Sequence, residues 1–257
     1  MESDLKCITV SEKNLDEHPG VICFINPKHK SHSYKIEWIR QRFDEGLTIK
    51  LLYENGQKKP VGFIEYIPGE NAWRAVSARG HLFIHCIYVY PNKNKGKGFG
   101  KRLIDECLAD AGNGGYRGVA VVTSSAAFMA GSDLFAKNGF TQVDRAASND
   151  ELWVKTLKDG PKPTFNDCEK RLSAYDGLHV IYTKQCPWVA RFVDELRGTS
   201  YCKDLNLTIT ELKEPSQAQK APSIYATFNL VHDGKILADR YISMTRFRNI
   251  LRKEKLL

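Results

Sequence analysis

One segment constrains this chain more than any other: an apolar run stopped by a proline, a glycine-rich loop, then an amphipathic helix. Leu82 to Tyr90 is the most hydrophobic stretch of the first half and reads as a buried strand ended by Pro91. Lys95-Gly96-Lys97-Gly98-Phe99-Gly100 follows. Lys101 to Ala111 then carries apolar residues at the i, i+3/i+4 spacing of a helix. Glycines let a backbone take positive φ and approach a ligand closely. A helix start leaves N–H groups free, with the positive end of the helix dipole behind them. Together these features make an anion site suited to a pyrophosphate. Lys95, Lys97, Lys101 and Arg102 add positive charge beside it. The loop is not a Walker A sequence, because the GxxxxGK[ST] pattern is absent. Nor is it a dinucleotide fingerprint: position 103 is Leu where the third glycine would stand, and an antiparallel meander precedes it.

The rest of the chain supplies that context. Cys7–Val10, Thr48–Tyr53 and Val61–Ile67 read as strands, the last two joined by the Asn55-Gly56 turn of a hairpin. Trp73–Val76 is expected to extend the meander. Trp38 to Phe43 reads as a helix end, Gly118–Thr123 as a fully buried strand, and about Met129 to Asn138 as a helix stopped by Gly139. Strands follow near 141–143 and 152–154. Lys158 to Pro163 is polar and carries proline and glycine, so the domains are expected at 1–158 and 164–257 with 159–163 as the linker. Beyond it the pattern restarts as βα, β, then ββα, with Ser243 capping a last helix.

Composition excludes several classes. The 257 residues are 42% hydrophobic and 26% charged, which is ordinary for a globular chain. No apolar run is long enough to span a membrane, and the acidic start is unlike a secretory signal. The net charge of +8 is scattered, so nucleic acid is not expected as a partner. The seven cysteines show no CxxC pair and no zinc spacing, so free thiols in a cytoplasmic setting are expected, with no metal. The oligomeric state stays open.

The segment Lys95 to Leu103 resembles the acyl-CoA loop of the GCN5-related N-acetyltransferases (GNAT), whose pattern is Arg/Gln-x-x-Gly-x-Gly/Ala. Lys95 replaces the usual Arg or Gln, while Gly98 and Gly100 match. Leu134-Phe135-Ala136-Lys137-Asn138-Gly139-Phe140 resembles the family's Leu-Tyr-x-x-x-Gly-Phe segment. The resemblance covers about residues 1–158 and implies an α/β fold with a mixed sheet. It implies that acetyl-CoA (coenzyme A) lies between the fourth and fifth strands. Gly96, Lys97, Gly98, Phe99, Gly100 and Lys101 would hold its pyrophosphate, beside Lys95. Ile87, Tyr88 and Val89 would hold the pantetheine and thioester, and Ser124 would contact pantetheine or substrate. The implied reaction is direct transfer of acetyl to an amine of a small molecule or peptide. His85 sits where the family often places its base, and an imidazole titrates in the right range for that work. Glu65 on the neighbouring strand is a second candidate, acting through water. The family's Tyr, which protonates the departing thiolate, is Phe135 here.

Val180 to Val189 resembles the active-site segment of thioredoxin and glutaredoxin folds, with Cys186 at a helix start and Val189 in place of the second cysteine. Ala221-Pro222-Ser223 resembles their cis-proline segment. The second domain is therefore expected to be a smaller thioredoxin-like α/β domain that binds or shapes substrate. Trp73–Val76, Ile84–Ile87, Gly118–Thr123, Ala130–Phe140 and Ala221–Ser243 together look like the YoaP-type acetyltransferases, which carry such an extra domain. Two alternatives stay open: an acyl-CoA sensor with weak turnover, and a thiol-dependent enzyme using Cys186.

Overall fold

The computed structural model describes residues 5–18, 25–91, 94, 96–126 and 129–257. Its elements run in order as β1 (Leu5–Val10), α1 (Lys30–Phe43), β2 (Thr48–Glu54), β3 (Gly62–Pro68), β4 (Val76–Ser77), β5 (Leu82–Val89), α2 (Phe99–Asn113), β6 (Gly118–Thr123), α3 (Ser132–Lys137), β7 (Thr141–Arg145), β8 (Glu151–Thr156) and β9 (Thr164–Phe165). β10 (Leu178–Tyr182), α4 (Pro187–Arg197), α5 (Tyr201–Asp204), β11 (Thr208–Glu211), α6 (Pro215–Ala218), β12 (Phe228–His232), β13 (Lys235–Ala238) and α7 (Met244–Lys253) complete it. The architecture is mixed α/β.

Two compact units result. The first takes Met1–Phe24, Ile39–Ala72 and Val76–Phe165; the second takes Ile25–Trp38, Trp73–Ala75 and Asn166–Leu257. The second unit thus recruits two segments from the first half of the chain. Trp73 is one of them: its indole meets that of Trp38 edge-on at 5.4 Å, and both are buried. Ala75 N–H donates to Ile224 O at 3.0 Å, and Asn166 N–H to Ala75 O at 2.9 Å. So Trp73–Ala75 does not extend the meander as expected. The next two residues form β4, which pairs with β9 in a small separate sheet.

Among the described residues the first unit holds a seven-stranded sheet in the order β1-β2-β3-β5-β6-β8-β7. Every neighbouring pair is antiparallel except β5 and β6, which run parallel. Ile64 and Tyr66 of β3, Leu82 and Ile84 of β5, and Val119 and Val121 of β6 meet Phe99, Leu103 and Cys107 of α2 and Phe135 of α3 in one core. Burying each large apolar side chain contributes about 1.5–3 kcal/mol, and this core fixes α2 against the strands that flank the site. The helix expected from Met129 is shorter, starting at Ser132.

The second unit holds a four-stranded sheet in the order β11-β10-β12-β13, with β10 parallel to β11 and antiparallel to β12. Its core joins Val180 and Tyr182 of β10 and Phe228 and Leu230 of β12 to Phe192 of α4 and Phe247 of α7. Phe192 meets Phe228 at 5.4 Å and Phe247 at 5.7 Å, both edge-on, an arrangement aromatic quadrupoles favour. Ser243 caps α7 as expected, its Oγ accepting from Arg246 N–H at 3.2 Å. The expected likeness at Pro222 fails in one respect. Among the described residues the cis peptide bond is Tyr90–Pro91, and Ala221–Pro222 is trans.

Candidate active site

The strands β5 and β6 pair only at Leu82↔Val119, Phe83↔Ala120 and Ile84↔Val121. Beyond Ile84 both continue, to Val89 and Thr123, without pairing to each other. A parallel pair that separates midway opens a cleft at its C-terminal ends. A bulge marks the point of separation. Glu65 stands opposite Cys86 while Tyr66 stands opposite Ile84, so His85 is the extra residue on β5. Bulges re-aim side chains and are frequent beside active sites.

His85 lies on the sheet face away from α2, and its ring meets Phe83 edge-on at 5.7 Å. Its Nδ1 is 3.5 Å from Glu65 Oε1, with the imidazole fully shielded and the carboxylate at 3% exposure. The structure therefore brings these two sequence candidates together as a buried pair. A carboxylate at this distance constrains the orientation of the imidazole.

Past the bulge, Ile87, Tyr88 and Val89 pair on one side with Ile64, Phe63 and Gly62 of β3. Their other edge faces the opening beside β6. Ile87 and Val89 are partly buried and Tyr88 is 42% exposed. Ser124 directly follows β6; its Oγ accepts from Ala126 N–H at 3.2 Å, closing a tight turn at the cleft's far wall.

The glycine-rich loop then leads into α2. Gly96 and Gly98 both have φ of +82°, and a Cβ at either would meet nothing within 4 Å. Conformation, not crowding, selects glycine there. Gly100 serves differently. It sits in the first turn of α2, and a Cβ there would stand 3.2 Å from Leu134 Cδ1, so its smallness lets α3 approach. Phe99 is buried and anchors the helix start. The first helical bond runs from Arg102 N–H to Gly98 O at 2.9 Å. The N–H groups of Phe99, Gly100 and Lys101 precede it, as at any helix start. The cations are partly committed: Lys101 Nζ lies 2.6 Å from Asp105, Arg102 2.6 Å from Glu106, and Lys97 Nζ donates to Asn94 Oδ1 at 3.2 Å. Lys95 lies outside the described residues.

One part of the site was not legible in the sequence. Lys50 of β2, nearly buried, places Nζ 3.0 Å from Asp110 Oδ2 on α2, and Tyr66 of β3 donates its hydroxyl to the same carboxylate. Burial, then that hydrogen bond, raises the Tyr66 phenol far above its ordinary range. This network ties α2, and hence the loop, to two strands. Nothing in the spacing of Lys50 or Asp110 marks them as partners. Phe135 proves to be a core residue, buried and edge-on to Phe140 at 5.3 Å. Cys186 lies in the second unit, as the N-cap residue of α4, and is partly exposed. Among the described residues no group of histidines, cysteines and carboxylates could hold a metal ion. No helix among them is long and apolar enough to cross a membrane.

Residues 15–140 match the model of the acetyltransferase (GNAT) family. The chain is 29% identical over 250 residues to "Uncharacterized N-acetyltransferase YoaP" of Bacillus subtilis (strain 168), a match covering 95% of this chain and 97% of that protein. A solved acetyltransferase of the GNAT family from Staphylococcus aureus Mu50 aligns with a TM-score of 0.45 and 18% identity, over 60% of this chain and 99% of that one. AAC(6')-Iy in complex with a bisubstrate analog aligns with a TM-score of 0.45 and 21% identity, over 56% of this chain and 95% of that one.

Proposed function

We propose that the chain is an N-acetyltransferase of the acetyltransferase (GNAT) family, whose model residues 15–140 match, acting on a primary amine of a small molecule or peptide. The observation that carries this reading is the parting of β5 from β6 after Ile84, with the His85–Glu65 pair at the fork and the start of α2 at the mouth. The relative of 29% identity spans 95% of this chain and is itself named an N-acetyltransferase, which supports assigning the whole chain to one activity.

Acetyl-CoA supplies the acetyl thioester. The residues present fit it. The free N–H groups at the start of α2 point where a pyrophosphate would sit, and the open space at Gly96 and Gly98 admits one. The edge of Ile87 to Val89 that faces away from β3 offers main-chain groups to the extended pantetheine arm. His85, its imidazole shielded from direct contact, takes the proton of the attacking amine through one water, and the nitrogen forms the new amide as the thioester C–S bond breaks. Glu65 holds the imidazole in place and stabilises it once protonated. No covalent enzyme intermediate is required. Solvent protonates the thiolate, because Phe135 is buried in the core and has no proton to give.

The second unit is read as thioredoxin-like. The order β-α-α-β-α-β-β-α from β10 to α7 and the sheet order β11-β10-β12-β13 support that reading. With Val189 in place of a second thiol, its role is in binding or shaping the acceptor, not dithiol exchange. The free cysteines suit a reducing cytoplasm.

The test is calorimetric titration with acetyl-CoA followed by an amine screen with the wild type, His85→Gln and Glu65→Gln. General-base removal costs roughly 10²- to 10⁴-fold. His85→Gln should lose that much in kcat/KM with acetyl-CoA affinity unchanged, and Glu65→Gln somewhat less. Full turnover in His85→Gln would remove it as the base, and no acetyl-CoA binding by the wild type would remove the reading.

A further inference from the structure

A second cavity lies at the opposite end of the first unit's sheet. Its volume is about 290 Å³, and its walls are Glu70, Arg79, Gly80 and the turn 114–117. Gly80 leads into β5, the turn leaves α2, and Arg117 leads into β6. The cavity therefore sits where β5 and β6 begin, while the cleft opens where they end. The fifteen residues of α2 separate the two by about 22 Å at 1.5 Å per residue.

We propose that this cavity is a binding site for a small oxyanionic metabolite, one bearing carboxylate or phosphate groups, distinct from the acetyl-CoA cleft. Three cations converge on it. Arg79 and Arg117 line it, and Lys158 Nζ reaches Gly115 O at 3.2 Å on its rim. Among the described residues none of the three forms an ion pair. The carboxylate in the wall, Glu70, is partly committed: its Oε1 accepts from Gly80 N–H at 2.9 Å. The cavity therefore carries a surplus of positive charge.

Arg117 is also held in place. A Cβ at residue 160 would stand 2.8 Å from its Cδ and Nε, and one at residue 80 would stand 3.4 Å from its Nη1. Its main chain is fixed from both sides: Arg117 N–H donates to Gly80 O at 2.8 Å, and its own O accepts from Leu157 and Lys158 N–H at 2.8 and 3.0 Å. The side chain runs between two glycines, and its guanidinium is presented to the cavity. Such a planar fork matches carboxylate and phosphate oxygens in pairs. Tyr116 adds a hydroxyl, which burial and then Glu70 keep protonated and able to donate. The volume is at the lower end of small-molecule sites, which sets the ligand's size at that of a short polycarboxylic acid or a small phosphate ester. The inference does not depend on the acetyltransferase reading, since the residues belong to neither the cleft nor the loop.

The experiment uses the full chain at fixed ionic strength. Citrate is titrated calorimetrically in one arm and inorganic phosphate in the other, so that the two chemistries are told apart. Each is run on the wild type, Arg117→Gln and Arg79→Gln, with and without saturating acetyl-CoA. The expected result is a single saturable site, weakened about tenfold or more in Arg117→Gln and unaltered by acetyl-CoA. Arg79 is exposed, so Arg79→Gln decides the matter if Arg117→Gln melts early. Absence of saturable binding in both arms overturns the proposal. So does unchanged binding in both variants together with displacement by acetyl-CoA, which would put the anion on the glycine-rich loop.

Discussion

Each unit starts a long helix at the end of a buried strand, but the two turns are built from opposite materials. Between β5 and α2 the chain uses glycines in left-handed conformation, with empty space where their side chains would be. Between β10 and α4 it uses Thr183, Gln185, Cys186 and Pro187, and it fills the space. Gln185 N–H donates to Thr183 Oγ1 at 3.3 Å, and Gln185 Oε1 accepts from Arg74 at 2.6 Å. Arg74 in turn stacks on Tyr225, its guanidinium carbon 4.1 Å from the ring centre, with Arg240 at 4.5 Å from the same ring. The first turn offers backbone N–H groups to an anion; the second offers side chains and one thiol. The same secondary-structure step thus yields an open turn of backbone N–H groups or a packed polar cluster, depending on whether side chains occupy the turn.

The units differ in chemistry, and the largest expected effect comes from separating them in folding. Ending the chain at Phe165 removes Gln185 and Tyr225, the partners of Arg74, and most of the unit to which Trp38 and Trp73 belong, all three residues being at most 4% exposed. Uncovering each tryptophan costs about 3 kcal/mol or more, against a total stability of roughly 5–15 kcal/mol. The truncated chain should lose its cooperative melt and bind a hydrophobic dye. A sharp thermal transition for 1–165 would show that the first unit stands alone and that the recruited segments are incidental.

A smaller test sharpens the reading of the first turn by setting two glycines against each other. Gly98→Val forces a branched side chain into φ of +82°, where even ordinary residues lose about 1–2 kcal/mol. Acetyl-CoA affinity should fall about tenfold or more. Gly100→Ala should behave differently. The gain in helix propensity, about 1 kcal/mol, offsets the tight contact with the flexible end of Leu134. Affinity should stay within about twofold and the melting temperature within about 3 °C. Equal losses from both would mean that crowding, not backbone conformation, governs the loop.

What the sequence revealed follows the same division. The glycine loop, the strand before it and the helix after it are local patterns, although α2 begins at Phe99, two residues before the periodicity puts it. His85 and Glu65 were separately visible as candidates, but their meeting depends on a bulge. Nothing in Leu82–Val89 shows that residue 85 is the extra one. The place of Trp73–Ala75 is set by partners far along the chain, Ile224 and Asn166, which no local pattern shows. Lys50 and Asp110 are sixty residues apart and meet only because α2 crosses β2. Local propensity reports on neighbours in sequence, and these features are set by pairing and packing across the fold.

The smallest effect bears on the second turn, where the thiol is. Cys7 is half-buried, and burial, followed by the charge of Glu106, pushes its thiol up to about 11. At pH 8 roughly one Cys7 in a thousand is then a thiolate, against about one in four for an ordinary cysteine. Burial raises Cys107 well above its usual value too. Cys186 is partly exposed and is the N-cap residue of α4. Brief treatment with iodoacetamide at pH 8, followed by peptide mass spectrometry, should label Cys186 while leaving Cys7 and Cys107 unmodified. If the second turn binds or shapes and does not react, and His85 is the base, Cys186→Ser and the alkylated protein should keep kcat/KM for acetyl transfer within about twofold of wild type, since a serine preserves the size of the side chain. Loss of turnover in Cys186→Ser, with acetyl-CoA binding intact, would move the chemistry from the open turn to the filled one, and the contrast between the two would then be one of order in the reaction, not of role.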